Sequence, residues 1–73
     1  MTHSYFIVMQ NYGRRGLEAI VRPEDTKRDI IAMINSGEYE AIAFIHRVHD
    51  GMVEDLTEEL LAEAAEEKDA SNM

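Results

Sequence analysis

The sequence predicts an α+β fold of the order ββαββα: a four-stranded antiparallel sheet, strands ordered 2-1-3-4, with two helices on one face. Three observations carry this. Two runs, 4–11 and 40–49, are apolar on both sides and so belong in the middle of a sheet. Two glycine-bearing turns, at Tyr12–Gly16 and at Asp50-Gly51, fold each run back on a shorter partner. After each hairpin comes a segment whose apolar residues recur at helical spacing.

The first strand, 4–11, is rich in aromatic and β-branched residues, with Tyr5, Ile7 and Met9 on one side and Phe6 and Val8 on the other. In the turn Tyr12-Gly13-Arg14-Arg15-Gly16, the glycines supply positive φ without steric cost. In Leu17–Arg22, Leu17, Ala19 and Val21 alternate with Glu18 and Arg22, so a half-buried strand is expected, its apolar side inward. Pro23 stops it, because proline cannot donate to a ladder.

Thr26 and Asp29 have the spacing of a capping box, with Asp in place of Glu. The helix they start should run from Lys27 to about Ser36, bury Ile30, Ile31, Met33 and Ile34, and stop at Gly37. In the strand from Glu40 to His49, Ile42, Phe44, His46 and Val48 face one way; Ala41, Ala43, Ile45, Arg47 and His49 face the other. Asp50-Gly51 is a type I′ hairpin signal, and 52–54 should pair back. Asp55 with Glu58, or Thr57 directly, then caps a helix to about Lys68, with Leu56, Leu60, Leu61 and Ala64 on its inner side.

A chain of 73 residues has room for one domain, expected over 1–69, with 70–73 as a frayed tail. The ββα plan occurs twice without any residue-level repeat. With no cysteine there is no staple and no thiolate chemistry. Met1-Thr2-His3-Ser4-Tyr5 lacks the pattern of a signal peptide, and no apolar run is long enough to span a bilayer, so a cytoplasmic location without membrane contact is expected.

So small a core raises the question of what covers the second face of strands one and three. That face is expected to carry Phe6, Val8, Ala43 and Ile45, with Tyr5, Ile7 and Met9 as the alternative set, and to bury itself in a homodimer. Phe44 is expected to anchor the core.

The formal charge is −8, and it is segregated: residues 51–73 hold eight acids against Lys68 alone, while residues 1–50 are nearly balanced. Glu59, Glu63, Glu66 and Glu67 crowd one side of the second helix. Like charges at i,i+4 repel, and a basic partner would relieve them. The function expected is therefore a non-enzymatic interaction module, an adaptor or inhibitor, that binds a basic protein surface through this acidic helix and mimics the charge of nucleic acid. Nucleic acid itself is disfavoured as a partner, because phosphates would be repelled.

The alternative is a nucleic-acid- or phosphate-binding module that uses the loop of Tyr12, Arg14 and Arg15, where two guanidiniums sit beside an aromatic ring. Two histidines, His46 and His49, invite a metal or acid–base reading. Their odd spacing places them on opposite sides of a strand, and a third ligand would have to come from His3 or a carboxylate, so no metal and no cofactor are expected. No nucleophile elbow, phosphate loop or paired-carboxylate motif is present, and the chain is not expected to be an enzyme.

Overall fold

The computed structural model describes residues 4–71; Met1–His3 and Asn72–Met73 lie outside it. Its elements are β1 (Ser4–Asn11), β2 (Leu17–Arg22), α1 (Lys27–Asn35), β3 (Ile42–His49), β4 (Met52–Asp55) and α2 (Thr57–Ser71), with one 3-10 turn at Gly13–Arg15. The four strands form an antiparallel sheet in the order β2-β1-β3-β4. The two apolar strands are thus central, and α1 carries the chain across β1 from β2 to β3.

Local chemistry sets the boundaries. Thr26 and Asp29 form the reciprocal capping box: the Asp29 N–H donates to the Thr26 hydroxyl at 3.3 Å, and the Thr26 N–H donates to Asp29 Oδ2 at 2.8 Å. The Thr26 N–H and the Thr26 hydroxyl, both donating to Asp29 Oδ2, hold the Asp29 carboxyl below its usual pKa range. Gly37 ends α1 at φ 82°, and Asp50 and Gly51 both take positive φ, as a type I′ turn requires. At α2 the cap comes from Asp55, whose carboxylate accepts the Thr57 N–H at 3.1 Å. The helix continues to Ser71, past the expected stop near Lys68.

Both helices pack on one face of the sheet. The core joins Phe6 and Val8 of β1, Ile45 of β3, Ile30 and Ile31 of α1, and Leu56, Leu60 and Ala64 beside or within α2, closed by Tyr39. Asn35 Nδ2 donates to the Ala64 carbonyl at 3.0 Å and ties the two helices together. The molecule is a slab 18 Å thick in its shortest dimension, and the described residues form two layers.

This packing corrects several expectations about facing. Phe6, Val8 and Ile45 lie under the helices, so the uncovered face carries the alternative set, Tyr5, Ile7 and Met9. Cross-strand pairing extends that face: Phe44, His46 and Val48 stand opposite Met9, Ile7 and Tyr5, and Val53 stands opposite Val48. Phe44 is therefore half-buried on the open face, with its ring stacked on His46 at 4.0 Å, and Ile45 takes the place in the core.

In β2 the expected inner side is reversed. Ile20, opposite Val8, packs against the core, while Leu17 and Val21 stay 65% and 54% exposed on the open face. A shift of register at Met9/Gln10 adds one residue to β3. Exposed Ala43 is that extra residue, and the shift turns Ile42 to the core side, away from Phe44. Leu61, expected among the inner residues of α2, sits 37% exposed on its flank.

Candidate functional site

Helix α2 begins against the free margin of β3. Strand β4 is short and pairs only with 46–49 of β3. Beyond it, the first turn of the helix takes over the margin. The Ile45 N–H donates to the Thr57 hydroxyl at 2.8 Å, and the Leu56 N–H donates to the Ile45 carbonyl at 2.9 Å. Asp55 receives the Thr57 hydroxyl at 2.5 Å as well as its N–H, which keeps the Asp55 carboxyl below its usual range.

A cleft of about 460 Å³ opens here, lined by Ala43, Phe44, Asp55, Thr57, Glu58 and Glu59. Three carboxylates and a half-exposed aromatic ring thus share one concavity. The combination suits a cation on a long side chain, which an aromatic face and an anionic rim both attract.

The four acids expected at the contact surface divide into two pairs. Glu59 accepts from Lys27 Nζ at 2.7 Å, and Glu67 accepts from Arg28 at 2.8 Å, both across the α1–α2 seam. Glu63 and Glu66, and Glu58 in the first turn, form no ion pair with another described residue. Leu56, Leu60 and Ala64 hold one side of the helix in the core, and Glu58, Glu63 and Glu66 are exposed.

The structure brings Tyr12, Arg14 and Arg15 together at the tip of the β1–β2 hairpin. The Gly13 N–H donates to Asn11 Oδ1 at 2.9 Å, and Gly13 and Gly16 take φ of 66° and 98°. Both arginines are exposed. Tyr12 is half-buried, and its phenol pKa is raised by desolvation and then by the charges of Glu18 and Glu40. Carboxylates therefore border the arginine loop, which weakens its pull on a phosphate.

His46 lies on the open face and His49 on the helix face, as their spacing requires. His3 is outside the described residues. His49 Nε2 lies 2.5 Å from Glu54 Oε1, which also accepts from Arg47 at 2.6 Å. Arg47 first and His49 second hold the Glu54 carboxyl below its usual range. A second cleft, of about 540 Å³, lies between β2 and α1, lined by Arg22, Asp25, Asp29, Ala32, Met33 and Glu38. Arg22 is paired there with Asp25 at 2.5 Å, and Asp29 is engaged in the helix cap.

Comparison with protein-family models, curated proteins and solved structures finds no match. Functional inference therefore rests on the surfaces themselves. Among the described residues, no helix is long and apolar enough to cross a membrane.

Sequence reasoning missed two structural contributors. Gln10 is 1% exposed, and its Oε1 accepts the Glu40 N–H at 3.0 Å, holding the entry to β3. A glutamine in an alternating strand gives no sign that it is the buried one until the register is known. The Arg47–Glu54 pair, by contrast, follows from the two-residue turn, which places 47 opposite 54.

Proposed function

We propose that this chain is a non-enzymatic interaction module that docks on a basic protein surface through helix α2, presenting carboxylates where that partner would otherwise meet phosphate. The observation that carries the reading is the cleft that Asp55, Glu58 and Glu59 line together with Phe44 at the start of α2. It offers a seat for one lysine or arginine of the partner, and Glu63 and Glu66 follow along the same helix. The contact set is accordingly Glu58, Glu63 and Glu66. Glu59, though it lines the cleft, is already paired with Lys27, and Glu67 with Arg28, both across the α1–α2 seam.

The test begins with capture of partners on the immobilised chain, in competition with duplex DNA. The binding of the captured protein is then compared across two variants. In Glu58→Gln/Glu63→Gln/Glu66→Gln, affinity at low salt should fall at least ~10-fold and its salt dependence should flatten, because rim charges govern steering. Glu59→Gln/Glu67→Gln should mainly lower stability. Equal binding by the triple variant would sink the reading. If Arg14→Ala/Arg15→Ala abolished binding instead, the hairpin loop would be the contact surface.

A further inference from the structure

We infer that the open face of the sheet is the interface of a two-fold homodimer, in which two sheets pack face to face and the acidic helices lie outermost. The apolar side of the sheet carries this, and it shares only Phe44 and Asp55 with the margin of the acidic cleft. Tyr5, Ile7 and Met9 of β1, Leu17 and Val21 of β2, and Phe44 and Val48 of β3 form one apolar surface, with Val53 of β4 62% exposed at its margin. His46 and Asp55, neighbours across β3 and β4, are its titratable groups apart from the Tyr5 phenol. A partner selected by charge finds little to read there. A second copy brings an apolar surface of the same size and shape.

Size and charge both favour that occupant. Strands of eight residues at the centre of a four-stranded sheet span roughly 26 Å by 19 Å, a footprint of roughly 400–500 Å² per copy. Two such faces come to roughly 800–1,000 Å², at the lower bound of a specific interface. The formal charge of −8 would oppose self-association if it were spread over the surface. Helix α2 holds six acids against Lys68, a net −5, on the far side of the sheet. In a sandwich the two α2 helices would stand roughly 30 Å apart, several times the ~8 Å screening length at physiological ionic strength.

Sedimentation equilibrium of the full chain, from about 1 to 500 µM, tests this by mass action. A monomer–dimer equilibrium is expected. Val21→Glu places a carboxylate at a site open to water in the monomer and dry in the dimer, so the dissociation constant should rise at least ~100-fold while the far-UV circular dichroism stays native. Leu17→Glu, at the most exposed apolar site, provides the same test should Val21→Glu fail to fold. A monomer throughout the range, or folded variants that dimerise like the wild type, would overturn the proposal.

Discussion

Ile45 sits where the sheet and α2 meet. Its side chain is fully buried, and both of its backbone polar groups are bonded to the start of the helix. Truncation there leaves a cavity that neither layer can close, so Ile45→Ala should cost about 2–5 kcal/mol. Against a total stability of roughly 5 kcal/mol, that nearly unfolds the chain. Phe44→Ala should cost much less in dilute solution, because the ring lies on the open face. Its cost should grow with protein concentration if that face is covered in a dimer. Urea denaturation of both variants at two concentrations gives the comparison, and a larger loss from Phe44→Ala in dilute solution would contradict the facing described above. The sequence shows that both residues are in a central strand. It does not show which side the helices take, because each side carries enough apolar residues to serve as a core.

At the scale of elements, the legible features were those with a local cause. The capping box, the left-handed glycine stop and the Asp50-Gly51 turn are short-range chemistry, and each stands where the spacing predicts. The facing of β2 and the shift at Met9/Gln10 depend on register with distant strands, and no local pattern contains that information. The candidate acids were visible as a cluster. Their division between docking on α1 and facing solvent was not, because it depends on how two helices approach.

The β3–β4 hairpin supports a further expectation. Glu54 is held below the usual carboxylate range by Arg47 and His49. A lowered folded-state value means that the contribution is complete above the ordinary range, near pH ~4.3, and is lost as pH falls through the folded value. Glu54→Gln should therefore be less stable than wild type at neutral pH, and the gap should close as pH falls through the lowered folded value. Chemical denaturation across that range checks the sign. A gap that persists in acid would mean the loss comes from packing and not from charge.

For the whole molecule, dimerisation would couple stability to concentration. Unfolding of a dimer releases two chains, so a tenfold rise in concentration adds ~1.4 kcal/mol per dimer. For a domain of this size the melting temperature should climb roughly 3–5 °C for each tenfold step. A melting temperature unchanged between about 5 and 500 µM would indicate a monomer that stands on its two layers alone.

The Thr57 hydroxyl has a consequence for how the molecule opens. It joins the start of a helix to the middle of a strand, so α2 cannot unwind from that end without stripping a partner from the buried Ile45 amide. Helix and strand should open as one unit. In hydrogen exchange, the Ile45 amide should then report the largest opening the chain undergoes, while the far end of α2 exchanges by local fraying. A single hydroxyl thereby sets the boundary between the part of the helix that breathes freely and the part that moves only with the sheet.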